Sequence, residues 1–204
     1  MTAEMTDDDL LTDQMAETMW GWVLPAIDAA IDGVQDPESL PVAKGSQLAK
    51  DDARSDPFQV SHCAQTCFGA GVDHLHAVKT LMFDLHTPLL HANADWSLIR
   101  GALDNFATAF WILHPNQRTY RIEHALRWRM QDYKSKKQAT KSLAPGKEAS
   151  VDAEIERVKQ TAKNAGCNVK VVRDGYTGKT ALEYVERYSH AMHPHFSQFV
   201  RNCG

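Results

Sequence analysis

Arg187, His190, His193 and His195 fall within nine positions near the C-terminal end of this 204-residue chain, with Ser189 among them. Imidazoles exchange protons near neutral pH and a guanidinium neutralises an anion, so the group is equipped for acid/base work on a phosphate or similar anion. Imidazoles are also metal ligands. Arg100 and Asp104 form a second chemistry-bearing pair, four residues apart and so one above the other on a helix. Such pairs are most often structural; beside the final helix, this one would orient a catalytic group or bind an anion.

His62, Cys63, Cys67, His74 and His76 make a third group. Cys63 and Cys67 share a helix face and could reach one ion, but His74 lies about 10 Å further along the axis. One helix cannot close a metal site there, and ligands from the tail histidines would be needed. The simpler expectation is small residues at a helix crossing with histidines at its rim; no metal and no cofactor is assigned. Gly178-Lys179-Thr180 resembles the end of a phosphate-binding loop, but Arg173 stands where the first glycine is required. Without it the backbone amides cannot wrap a phosphate, so a nucleoside triphosphatase is not expected.

Helices must position these groups. Thr6-x-x-Asp9 reads as a capping box, and Trp20, Val23, Leu24, Ile27, Ile31 and Val34 follow at helical spacing. Pro25 interrupts them, which predicts a kink or two shorter helices. Residues 35–56, with Pro37, Pro41 and Gly45, read as a loop. Asp56-Pro57 reads as the start of a helix of about thirty residues, with the apolar stripe Val60, Ala64, Cys67, Gly71, Leu75, Val78, Met82 and Leu85. Gly69 and Gly71 mark a bend or a close crossing in it. Another helix runs from about Ala94 to His114, and a basic helix from about Gln117 to Ala139. Residues 141–178 read as a linker and insertion: a flexible stretch at Pro145 and Gly146, a polar helix over 151–165, and an isolated strand over Asn168–Val172. The final helix should start near Thr180 and end before Pro194. The expectation is a single all-α domain over 1–204, a bundle of about five to six helices with a small polar helical insertion and at most one short strand.

No apolar run is long enough to cross a membrane, and the acidic N-terminus lacks the pattern of a signal peptide, so a cytoplasmic location with no membrane partner is expected. Cys63, Cys67, Cys167 and Cys203 make no C-x-x-C pair and are expected to be reduced thiols. The net charge of −4 hides an asymmetry. The first forty residues hold ten acids and no Lys or Arg, whereas 116–141 hold eight bases against Glu123 and Asp132. The bases are Arg118, Arg121, Arg127, Arg129, Lys134, Lys136, Lys137 and Lys141. Such a split fits either an anionic partner or two helices that attract each other within the chain or across a homodimer.

The spacing Arg187-x5-His193 on a late helix resembles the signature of the HEPN superfamily of small helical domains. Many of its members are RNA-cleaving toxins or phage-defence ribonucleases. The resemblance implies a metal-independent endoribonuclease in which His193 exchanges a proton with the ribose 2′-OH or the leaving oxygen and Arg187 neutralises charge on the phosphate. It implies Ser189 as a polar residue between them, with Arg100, Asp104 and His190 in support. The bases from Arg118 to Lys137 would then hold RNA phosphates, and an antitoxin or other protein becomes a natural partner. The same spacing recurs at Arg118-x5-His124. Asp73-His74-Leu75, Ser97-Leu98-Ile99-Arg100, Phe110-Trp111-Ile112-Leu113 and Tyr188-Ser189 also resemble a group of actinobacterial helical proteins of unknown function, which places Arg100/Asp104 and Ser189/His193 in one shared site. Two other readings remain beside the ribonuclease: a non-enzymatic dimeric interaction module docking through its acidic first helix, and a helical-bundle metalloenzyme using the histidines.

Overall fold

The computed structural model of the chain describes residues 13–36, 40–84, 91 and 93–189. Among these residues there are eight α-helices and no strand, an all-α bundle as the hydrophobic spacing predicts. They are α1 (Asp13–Gln35), α2 (Gln47–Ser55), α3 (Val60–Lys79), α4 (Ala94–Leu113), α5 (Arg118–Leu143), α6 (Ala149–Ala165), α7 (Val169–Asp174) and α8 (Gly178–Ser189). One π-helical turn, Thr80–Asp84, continues α3. No helix among the described residues is long and apolar enough to cross a membrane.

Four local readings of the sequence are corrected. Of the two alternatives at Pro25, two shorter helices are not found: α1 runs unbroken through it. The expected loop over 35–56 contains α2, started by Ser46, whose hydroxyl accepts from Ala49 N at 3.1 Å. Asp56 and Pro57 end α2 rather than open α3. The amide of Ser61, in the first turn of α3, donates instead to Asp52 Oδ1 of α2 at 2.9 Å. The expected strand over Asn168–Val172 is the start of α7, because the Asn168 side chain caps it by accepting from Lys170 N and Val171 N.

The core is built from helically spaced apolar side chains. α3 contributes Val60, Cys63, Ala64 and Cys67; α4 contributes Ala107, Trp111 and Ile112; α5 contributes Ile122, Ala125, Leu126 and Met130. Val158 and Ala162 of α6, Val172 of α7, and Ala181 and Val185 of α8 join the same cluster, so the segment expected as an insertion is part of the core. α3 and α4 cross closely at two glycines. A Cβ on Gly71 would lie 2.8 Å from the Phe106 ring, and one on Gly101 would run into the His74 ring. This is the close crossing foreseen at Gly71, with a second contributor on α4.

α4 and α8 run in the same direction. Asp104 lies beside Gly178 at the start of α8, and His114 lies beside Tyr184 and Tyr188 near its end. α8 begins where Thr177 accepts at its Oγ1 from Thr180 N, and Lys179 pairs with Glu183 rather than facing a phosphate loop. At its other end α8 leads into the histidine-rich tail.

Candidate active site

The ends of α4 and α8 and the start of α5 surround a cavity of about 350 Å³. His114, Tyr120, His124, Tyr184 and Tyr188 frame it, with the amides Asn116 and Gln117 on the turn between α4 and α5. The turn exists because α4 ends at Leu113 and Pro115 follows, which brings His114 and His124 to the same end of the bundle. Tyr184 and Tyr188 are four apart on α8 and so share the face turned toward α4.

The two imidazoles are held differently. His114 Nδ1 shares a hydrogen bond with Tyr184 Oη at 3.0 Å, and its ring stacks on Phe110 at 4.5 Å. Burial raises the Tyr184 pKa, with the neighbouring Tyr188 adding to the rise and the Arg187 charge opposing it. A phenol that keeps its proton can donate to a neutral His114 or accept from its imidazolium. His124 lies flat on Trp111, ring centroids 4.0 Å apart, and Trp111 in turn stacks on Tyr176 at 5.3 Å. Its Nδ1 bonds the Trp111 carbonyl at 2.6 Å. A carbonyl only accepts, so Nδ1 carries the proton and Nε2 is a bare acceptor. Burial pushes the His124 pKa down to about 4, against the pull of that hydrogen bond, so the ring is neutral at physiological pH.

Of the tail residues, Arg187 lies exposed in the last turn of α8, between the cavity tyrosines in sequence. Ser189 ends α8. His190, His193 and His195 lie outside the described residues, as do the capping box at Thr6 and the acids Asp7, Asp8 and Asp9. Arg100 and Asp104 do pair, at 3.9 Å on a well-exposed face. Asp104, however, sits beside Gly178, and from Gly178 to Ser189 is about 16 Å along α8, so this pair stands at the opposite end of that helix from Arg187.

The basic residues of α5 are largely engaged within the chain. Arg121, buried, donates from Nε to Asp51 Oδ2 at 2.6 Å, and Arg118 reaches Oδ1 of the same fully buried carboxylate at 3.0 Å. Arg127 donates to the Gly175 carbonyl and lies over the Trp111 ring. Arg129 pairs with Asp132 and lies over Trp128. Lys134 bonds the Asp174 carbonyl, Lys137 pairs with Asp152, and Lys136 is exposed. These contacts tie α5 to α2, α6 and the turn after α7 before any phosphate is considered.

Among the described residues no three His, Cys, Asp or Glu side chains converge as metal ligands. Burial pushes the Cys63 thiol up to about 11 and that of Cys67 up to about 12, so both are protonated core residues at the α3 crossing.

The sequence reading passed over His114, Tyr120, Tyr184 and Tyr188 as site residues. Its available signals were the i, i+4 tyrosines on the same helix as Arg187, and Arg118-x5-His124, whose histidine does reach the cavity while its arginine is taken by Asp51. No family model, curated protein or solved structure matches this chain.

Proposed function

We propose that this protein is a HEPN-like, metal-independent endoribonuclease, of the kind found among toxins and phage-defence proteins. One observation carries the reading. The end of α8 that bears Arg187 is also where His114, Tyr184, Tyr188 and His124 frame a cavity. In the sequence His190 and His193 follow directly. The chemistry is transesterification. A base takes the proton of a ribose 2′-OH, the 2′-oxygen attacks the adjacent phosphorus, and the bond to the 5′-oxygen breaks as that oxygen is protonated. His193 is assigned one proton transfer and His114, oriented by Tyr184, the other. Arg187 balances the charge that builds on the phosphate oxygens. The product ends are a 2′,3′-cyclic phosphate and a 5′-hydroxyl.

The test is cleavage of RNA by the purified protein with and without chelator, beside Arg187→Ala and His193→Ala. Chelator-resistant cleavage that falls by about a hundredfold or more in each variant supports the reading. Absence of cleavage across structured and single-stranded RNAs, with both variants folded, overturns it.

A different observation favours an interaction module as second reading. Met15, Met19 and Trp22 form an exposed row on α1, Trp22 being 78% exposed. Loss of self-association in Trp22→Glu, measured by sedimentation, would support a dimer built on this helix.

A further inference from the structure

The cavity at the α4–α5 turn has a composition that points to a particular ligand. Its walls are flat rings: Tyr120 and Tyr188 are about half exposed, and the Tyr184 ring lies 4.5 Å from that of Tyr188. Its floor includes the neutral His124 ring, fixed from behind by Trp111. Its rim carries the Asn116 and Gln117 amides, each both donor and acceptor. Among its described lining residues there is no carboxylate, lysine or arginine, so its polar groups are imidazoles, phenols and amides. Flat aromatic walls with neutral hydrogen-bonding groups at the edge are what a planar heterocycle requires.

We propose that this cavity binds one nucleobase of the substrate, which stacks on Tyr120 or Tyr188 and donates an N–H to His124 Nε2 while Asn116 and Gln117 meet its remaining polar edge. The His124 nitrogen has the right character for that role. Its partner Nδ1–H is committed to the Trp111 carbonyl, which locks the tautomer, and the ring lines the cavity. Nε2 is therefore the acceptor of this ring and cannot become a donor without a second protonation. Every standard base presents an N–H on its pairing edge, and an unpaired base alone has that edge available, so the substrate is single-stranded at this position. Arg187, outside the cavity on the same turn of α8 as Tyr188, is placed for the phosphate of the inserted nucleotide. This inference rests on the ribonuclease reading for the identity of the substrate, but not for the binding event.

The experiment is titration of the full chain with adenosine, guanosine, cytidine and uridine 5′-monophosphates, followed by Trp and Tyr fluorescence, with ribose 5-phosphate as the base-free comparator. At least one mononucleotide is expected to bind about tenfold or more tighter than ribose 5-phosphate. Tyr120→Ala should weaken that binding about tenfold, and Asn116→Ala less; both side chains are exposed, so the fold is not at risk. His124→Phe keeps a ring on Trp111 and removes the acceptor, and should weaken binding by about the same factor. Mononucleotides binding no better than ribose 5-phosphate overturn the proposal, as does binding that Tyr120→Ala and His124→Phe leave unchanged. RNA cleavage without mononucleotide binding removes the base site and leaves the ribonuclease reading standing. Mononucleotide binding without any RNA cleavage removes the ribonuclease reading and leaves the base site standing.

Discussion

His124 is bound to one neighbour twice over: its ring lies 11° from parallel to Trp111, and its Nδ1 bonds that same residue's carbonyl at 2.6 Å. The two contacts act in opposite senses: the stacked indole excludes water from one face and favours the neutral imidazole, whereas the carbonyl bond favours the protonated one. Burial outweighs the hydrogen bond and sets the pKa at about 4, below the ordinary 6.5. Between those values the unfolded chain binds a proton that the folded chain does not, so stability must rise with pH across the window. His124 therefore contributes stability that is full above about pH 6.5 and lost as pH falls through about 4. The expected loss is about 2 kcal/mol, less than the whole shift implies because the ring lines the cavity and is not fully buried. Urea unfolding of wild type and His124→Phe at about pH 7 and about pH 4.5 isolates this group from the carboxylates. The two proteins should lose stability unequally, wild type losing more; equal losses would mean His124 titrates normally.

The Asp51 carboxylate holds α2 to α5 through two arginines of unequal burial. Arg121 is buried, and it also donates from Nη1 to the Pro115 and Asn116 carbonyls. Arg118 is about half exposed. Asp51→Asn strands a buried cation, which costs about 3–5 kcal/mol. Arg118→Ala removes a largely solvated charge and should cost about 1 kcal/mol or less. Chemical denaturation should rank the losses in that order. Small and equal losses from both substitutions would show that the ion pairs do not secure the α2–α5 contact.

Gly101 is needed for its missing side chain. Alanine normally stabilises a helix interior relative to glycine by about 1 kcal/mol. Here the added methyl would meet the His74 ring, which is fixed by its Nδ1 bond to the Ala70 carbonyl at 2.6 Å. Overpacking of this kind costs about 1–3 kcal/mol, so Gly101→Ala should be net destabilising. Adding His74→Ala removes the obstacle and should reverse the sign, leaving the helix propensity gain visible. If Gly101→Ala stabilises on its own, the crossing has room that the contact distances deny.

The long helices were readable because their apolar residues recur at a helical period over many turns, as in α4 and α5. α2 and α7 were not, because short helices show less than three turns of period and depend on a single cap each, Ser46 and Asn168. Val169, Val171 and Val172 are β-branched and favour a strand on propensity; the Asn168 cap and the burial of Val172 overrode it. Within the site, Arg187 was legible as a charged residue near histidines in sequence. The histidines that line the cavity at that end of α8, His114 and His124, lie more than sixty positions away in sequence. The charges of α5 were legible as charges, but whether each faces solvent or a partner depends on α2, α6 and α7, which a one-dimensional pattern does not contain.

That engagement limits how RNA affinity should respond to salt. Asp51 offsets one of the two charges of Arg118 and Arg121, Asp132 faces Arg129, and Asp152 faces Lys137. The hydrogen-bond partners of Arg127 and Lys134 are uncharged carbonyls, and Lys136 and Lys141 are exposed. About five charges of this helix are therefore left to displace counterions. For a single strand each phosphate contact contributes about −0.7 to the slope of log affinity against log salt, so a slope of about −3 to −4 is expected from α5. Lys134→Ala and Lys136→Ala should each reduce its magnitude by about 0.7, uniformly across RNA sequences, and should leave base preference untouched. Arg121→Lys should not change the slope, since its charge is spent on Asp51. A slope as steep as all eight bases would give, about −6, would mean that these internal pairs open when RNA binds.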